Sequence, residues 1–72
     1  MTATVRVVLG DITVICDPQS SPLLRYTVRG LGGRIVRLRA PRGEVYRALI
    51  RECGLARADA ARLLNQLDGG AR

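Results

Sequence analysis

The sequence predicts an α+β fold in which two sequential antiparallel β-hairpins form a four-stranded sheet, followed by a C-terminal two-helix hairpin. Three observations support this prediction. Apolar and polar residues alternate about a Gly10-Asp11 dipeptide in residues 4–16, and a second alternating segment, residues 23–40, encloses a glycine-rich loop. From residue 42 onward the apolar residues recur at helical spacing instead. The 72 residues are expected to form one small domain with a thin core, which oligomerisation would supplement.

The first hairpin is predicted to have strands at 4–9 and 12–16, joined by a type II′ or I′ turn at Gly10-Asp11. Pairing residues whose numbers sum to 21 gives one uniformly apolar face, made of Val5, Val7, Leu9, Ile12, Val14 and Cys16. The other face is Arg6, Val8, Thr13 and Ile15. This second face is more apolar than a solvated face usually is, so either another segment covers it or a second chain does. A homodimer through this face is one expected assembly.

The second hairpin is predicted to have strands at 23–29 and 35–40, with a loop at 30–34 and a turn-rich connection, DPQSSP, before it. Burial favours the register in which paired numbers sum to 64, because a slip of one residue would exchange the faces. That register places Leu24, Tyr26 and Val28 with Val36, Leu38 and Ala40 on an apolar face. The opposite face then collects Arg25, Thr27, Arg29, Ile35, Arg37 and Arg39.

Two helices are predicted at 42–53 and 56–67, with Gly54 ending the first and the Gly69-Gly70 pair ending the second. The buried stripe of the first helix is expected to be Val45, Tyr46, Leu49, Ile50 and Cys53. That of the second is expected to be Ala56, Ala60, Leu63, Leu64 and Leu67.

Positive charge is concentrated in the middle of the chain. The 12 basic residues are all arginine, against six acids, and the formal net charge is +6. Residues 18–43 contain no acid and carry the candidate binding residues, Arg25, Arg29, Arg34, Arg37, Arg39 and Arg42. Because the planar guanidinium fork suits phosphate and carboxylate alike, the expected partner is nucleic acid, with duplex DNA favoured, or an acidic protein surface. A solvated edge protected by charge, or pairing with acids elsewhere in the fold, are the structural alternatives.

The segment around Cys53-Gly54-Leu55 resembles the turn of a DNA-binding helix-turn-helix, with Ala60 and Leu63 at later apolar positions of that motif. The resemblance implies that the second helix is a recognition helix, and it adds three secondary candidates, Arg57, Arg62 and Asn65. Ile50 departs from the motif, which prefers a small residue there. The same segment is similar to helical hairpins without a DNA-binding role, including the C-terminal domain of the ribosomal stalk protein, so a purely structural hairpin is the alternative.

Catalysis is not expected. The chain has no His, and two cysteines without His do not form a zinc site, so neither a metal nor another cofactor is predicted. Cys16 and Cys53 are expected to be buried free thiols, with a strand-to-helix disulfide as the alternative. No apolar run approaches the ~18 residues of a membrane span, and a cytoplasmic location is expected.

The sequence therefore predicts a small nucleic-acid-binding protein, such as a regulator from a phage or another mobile element. The alternative is an inhibitor or adaptor that docks the same cationic face on an acidic partner. An accessory subunit whose arginines pair within an assembly is the third interpretation.

Overall fold

The computed structural model describes residues 4–69. The elements follow one another as β1 (Val5–Leu9), β2 (Ile12–Cys16), β3 (Tyr26–Arg29), β4 (Ile35–Ala40), α1 (Arg42–Arg51) and α2 (Arg57–Gly69). The strands form one antiparallel sheet in the order β1-β2-β3-β4, and both helices pack on the same face of it. The predicted α+β fold is confirmed. The glycine expected to end the second helix at position 70 lies outside the described residues.

The first hairpin has the predicted register. Val5 pairs with Cys16 and Leu9 with Ile12, so paired numbers sum to 21 throughout. Gly10 has a positive φ of 61°, whereas Asp11 does not, which identifies the turn as type II′. Val14 and Cys16 point into the core as expected, and both are buried.

The predicted register of the second hairpin is wrong except at the loop end. Arg29 pairs with Ile35, as a sum of 64 requires, but Val28 pairs with Arg37 and Tyr26 with Ala40. Strand β4 therefore carries two extra residues, each forming a β-bulge. At the second bulge the backbone of Arg39 takes the left-handed φ of 52°, and its N–H donates to the Thr27 hydroxyl at 3.2 Å.

The bulges reassign the faces of β4. The first places Val36 and Arg37 together opposite Val28, on the helix-covered side. The second places Leu38 and Arg39 together opposite Thr27, on the side away from the helices. Leu38, predicted to be in the core, is accordingly 63% exposed. The regular alternation assumed for the sequence fails because each bulge lets two successive residues share one face.

Strand β3 begins three residues later than predicted, because Pro22–Leu24 forms a turn of 3-10 helix. Pro22 pre-sets the helical φ, and the Ser21 hydroxyl accepts the Leu23 N–H at 3.4 Å. Leu24, expected to face the core from a strand, is 47% exposed instead.

The core lies between the sheet and the helices. From α1 it takes Val45, Ala48 and Leu49, while Tyr46, Ile50 and Cys53 of the predicted stripe are only half-buried. From α2 it takes Ala60, Leu63, Leu64 and Leu67, as predicted, whereas Ala56 is exposed. Gly54, with a φ of 74°, ends α1, and the Leu55 N–H bonds back to the Leu49 carbonyl at 3.0 Å.

The left-handed backbone at Arg39 gives a testable consequence. Arg39→Gly and Arg39→Ala remove the same side chain, but only alanine keeps the Cβ that crowds a positive φ. We expect Arg39→Gly to be more stable than Arg39→Ala by about 0.5–1 kcal/mol in the free energy of unfolding, measured in urea. An alanine variant as stable as the glycine variant would contradict the bulge geometry.

Candidate functional site

The sheet face away from the helices, here called the open face, presents two cross-strand rows of side chains. The antiparallel registers define its members, which are Arg6, Ile15, Thr27, Leu38 and Arg39 in one row and Val8, Thr13, Arg29 and Ile35 in the other. Three of these nine residues are arginines, and among the described residues none on this face is acidic. The open face is therefore cationic and aliphatic at once.

Arg39 is held at the rim of the open face by the loop between β2 and β3. Its guanidinium donates to the Ser20 hydroxyl at 3.1 Å, and that hydroxyl donates to Asp17 at 2.8 Å. The Ser20 hydrogen bond, the Gln19 N–H and the nearby charge of Arg39 all lower the pKa of Asp17. The Arg39 guanidinium thus has an acid in its neighbourhood, but its hydrogen-bond partner within residues 4–69 is a hydroxyl.

Arg29 and Arg34 lie at the β3–β4 loop end of the sheet. The Arg29 guanidinium donates to the Gly33 carbonyl at 3.1 Å, and the loop is closed by the Gly30 N–H bonding the Arg34 carbonyl at 2.7 Å. Gly32 and Gly33 both take positive φ, as a reversal this tight requires. Within residues 4–69 neither arginine forms an ion pair, and both are exposed.

Arg25 does not lie on the open face with Arg29, contrary to the prediction. It follows the 3-10 turn, and its side chain lines a cleft of 380 Å³ on the helix side with Cys16, Tyr26 and Asp68. Its guanidinium donates to the Ser20 carbonyl at 3.2 Å, while its buried Nε has no hydrogen-bond partner in the described part of the chain. The cause is the local helical backbone at 22–25, which breaks the strand alternation on which the prediction depended.

Arg37 also leaves the predicted arginine face. The first bulge points it toward the helices, where it forms ion pairs with Glu44, at 3.4 Å, and with Glu52. It also donates to the Val36 carbonyl at 2.7 Å. Its charge is therefore compensated inside the fold, and pairing with acids elsewhere in the fold, one of the structural alternatives, holds for this residue.

Arg42 is the second arginine whose charge is compensated by an acid of the fold. It donates to Asp68 at 2.7 Å and to the Asn65 side-chain oxygen at 3.0 Å, which ties the start of α1 to the end of α2. The other Asp68 oxygen accepts the Tyr26 hydroxyl. Burial, together with this hydrogen bond to a carboxylate, raises the pKa of Tyr26 to about 12.

Some of the secondary candidates on α2 also have partners within the molecule. The Asn65 side-chain oxygen accepts a hydrogen bond from Arg42, and the Arg62 guanidinium lies 3.9 Å from the carboxylate of Asp59, one turn earlier. Arg57 is the candidate without an ion pair in residues 4–69, and it lines a small cleft with Tyr46, Arg47 and Arg51. The polar groups expected on a recognition helix are thus largely engaged within the molecule.

Sequence reasoning missed Arg6 as a member of the candidate site. The register of the first hairpin had placed Arg6 beside Ile15 on the outer face, but only the β2–β3 pairing of Ile15 with Thr27 brings it onto one surface with Arg39. A pairing of β2 with β3 assumed from their proximity in sequence would have found it.

Both cysteines are free thiols, so the disulfide alternative is wrong. Cys16 is buried and Cys53 half-buried, and desolvation raises the pKa of each thiol. Since the thiolate is the reactive form, neither thiol is activated as a nucleophile near neutral pH.

No protein-family model, curated protein or solved structure matches this chain. Within residues 4–69, neither helix is long and apolar enough to cross a membrane.

Burial of the Tyr26 hydroxyl, together with its hydrogen bond to Asp68, makes stability depend on alkaline pH. Because the folded state raises the pKa of the Tyr26 hydroxyl from 10.0 to about 12, its contribution is fully present below pH 10 and is lost as the pH rises through about 12. We expect the free energy of unfolding to fall over this interval by roughly 2–3 kcal/mol more in the wild type than in Tyr26→Phe, as measured by urea unfolding at each pH. Equal pH dependence in the two proteins would contradict the burial and hydrogen bonding of this hydroxyl.

Proposed function

We propose that this protein is a small cytoplasmic nucleic-acid-binding protein that contacts duplex DNA through the open face of its sheet. One observation carries the proposal: Arg6, Arg29 and Arg39 share a face on which no described residue is acidic, and none of the three is ion-paired within residues 4–69. The proposed role is regulatory, such as that of a phage or mobile-element regulator.

The separation of paired from unpaired arginines supports this assignment. Arg37 and Arg42 lie on the helix side, where the acids of α1 and α2 compensate them. Among residues 4–69, the open-face arginines form no ion pair with an acid. Phosphate groups would supply the missing counter-charge, and Thr13 and Thr27 lie between the arginines, where hydroxyls can donate to phosphate oxygens.

Duplex is favoured over single-stranded nucleic acid because stacking of unpaired bases needs exposed aromatic side chains. Tyr26 is buried and Tyr46 is half-buried on the helix layer, so neither lies on the open face. Binding dominated by backbone phosphates needs no aromatic residue. Arg34, exposed on the adjoining loop, would extend the contact beyond the sheet.

The exposed aliphatic residues favour a second candidate function, which is an inhibitor or adaptor that binds an acidic protein surface. Val8 and Leu38 of the open face are 60% and 63% exposed, and Leu23, on the 3-10 turn next to β4, is 68% exposed. The centre of a protein–protein interface is more apolar than the rest of the surface, enriched in arginine and depleted in lysine, aspartate and glutamate.

Salt dependence tests the nucleic-acid proposal. Four phosphate contacts, from Arg6, Arg29, Arg34 and Arg39, predict a slope of about −3.6 for log affinity against log salt with a labelled duplex, measured by fluorescence anisotropy. Replacing Arg6, Arg29 and Arg39 by Gln leaves one contact and an expected slope of about −0.9.

The matched control removes the same charge from the helix layer. Arg47, Arg51 and Arg57 are exposed, without ion pairs in the described chain, and away from the open face. Their triple Gln variant is expected to keep the wild-type slope. Equal losses in the two triple variants would show an effect of net charge alone, and a wild-type slope near zero would overturn the proposal.

Polar substitution of the exposed leucines separates the two candidate functions. Leu23→Ser with Leu38→Ser removes aliphatic surface and leaves every arginine in place, so duplex affinity is expected to stay within about twofold, since phosphate contacts dominate it. For the protein-binding alternative, the same variant is expected to lose a defined partner that the wild type retains after nuclease treatment.

A further inference from the structure

The outer edge of β1 has no strand partner in the described part of the chain, and Arg6 is the one charged residue of this strand. Among residues 4–69, β1 pairs only with β2, so one row of its backbone N–H and C=O groups has no sheet partner. The strand reads VRVVL, with four aliphatic residues and no proline, lysine or bulge. Natural sheets normally blunt such an edge, because it is a template for pairing with another strand.

The opposite edge of the sheet carries the protections that β1 lacks. Strand β4 has two bulges, a left-handed residue at Arg39, and Pro41 directly after its end. A regular strand cannot form a continuous ladder along an edge that is offset twice. The sheet is therefore closed to extension at β4 and open to it at β1.

The side chains at the β1 edge are also incompletely covered. Val5 and Val7 face the helices but remain half-buried, whereas Val14 and Cys16, their partners in β2, are buried. Beside the edge, a cleft of 250 Å³ runs between β1 and α2. It is lined by Val7, Val8, Leu9, Asp59, Arg62, Leu63 and Gln66.

The turn determines which backbone groups point outward. A two-residue turn closes on a hydrogen-bonded pair, here Leu9 with Ile12, and hydrogen-bonded pairs then alternate along the hairpin. Val5, Val7 and Leu9 therefore bond toward β2. Arg6 and Val8 direct their N–H and C=O groups away from the sheet.

We infer that the β1 edge binds β1 of a second copy of this chain, antiparallel and with a twofold axis at Val7. In that register Arg6 of each copy exchanges hydrogen bonds with Val8 of the other. Moving the twofold axis to Arg6 would place the two Arg6 side chains directly opposite each other. Moving it to Val8 would pair Arg6 with the turn residue Gly10. The register at Val7 is therefore the one that uses the outward groups without opposing like charges.

The charges at the rim of the cleft are also compatible with binding of a second copy. A twofold interface requires one patch to complement itself, so each charge must find its opposite within the same patch. Asp59 and Arg62, of opposite sign, both lie on the α2 side of this edge. The dimer would join two sheets into one of eight strands and double the open face. The contact uses the backbone edge of β1, whereas nucleic-acid binding uses side chains of the open face, so the dimer does not depend on nucleic-acid binding.

Val8→Pro tests the dimer without removing a bond of the monomer, because the Val8 N–H points away from β2. We expect wild-type protein to show a monomer–dimer equilibrium by sedimentation from micromolar to millimolar concentration. Val8→Pro is expected to weaken the dimer at least about tenfold, since each dimer loses two hydrogen bonds. Val8→Thr, which keeps the N–H and the β-branched shape, is expected to dimerise like the wild type.

A wild type that stays monomeric, or a Val8→Pro variant that dimerises equally well, would overturn the inference. Amide hydrogen exchange on the wild type gives an answer that does not depend on the folding of the proline variant. The Arg6 and Val8 amides are expected to become protected as protein concentration rises. Rapid exchange of both amides at every concentration would overturn the inference as well.

Discussion

The two bulges in β4 are the constraint on which the distribution of charge over this molecule depends. Each inserts one extra residue opposite β3, so that Val36 and Arg37 share the helix side while Leu38 and Arg39 share the open face. Without them, strict alternation would place Arg37 with Arg39 and bury Leu38. The backbone of Arg39 adopts a left-handed conformation to make this arrangement, and the Thr27 hydroxyl accepts its N–H.

The consequence is a division of the arginines into two groups. Arg37 and Arg42 bind the acids of the helices, and because these pairs are partly exposed they are worth at most about 1 kcal/mol each. Their main effect is to connect β4 and α1 with the ends of the helices. Arg6, Arg29 and Arg39 are left on the open face among aliphatic and threonine side chains. The sequence predicted one continuous arginine face on the second hairpin. The structure instead has a narrower cationic surface, to which β1, β3 and β4 each contribute one arginine.

Much of the fold could be predicted because local patterns determine it. The Gly10-Asp11 turn fixed the first register, and the apolar spacing of Leu63, Leu64 and Leu67 identified the buried side of α2. The second register could not be predicted. Whether a bulge forms depends on packing against the helices as well as on strand pairing, and the alternation of apolar and polar residues in one hairpin carries no information about that packing. The same limit applies to the site. Arg34 lies in the β3–β4 loop, where the sequence placed it. The partners of Arg37, however, come from residues in α1 and after it, and Arg6 joins the surface only through the pairing of β2 with β3.

The most direct test of the central claim is an NMR titration of the labelled protein with a short DNA duplex at low salt. If the open face is the binding surface, chemical shifts change first at Ile15, Thr27 and Leu38 and at the side chains of the open-face arginines. The amides around Tyr46 and Ile50, on the helix layer, stay unchanged. Changes centred on the helix layer, or no changes at the lowest salt, would contradict the claim.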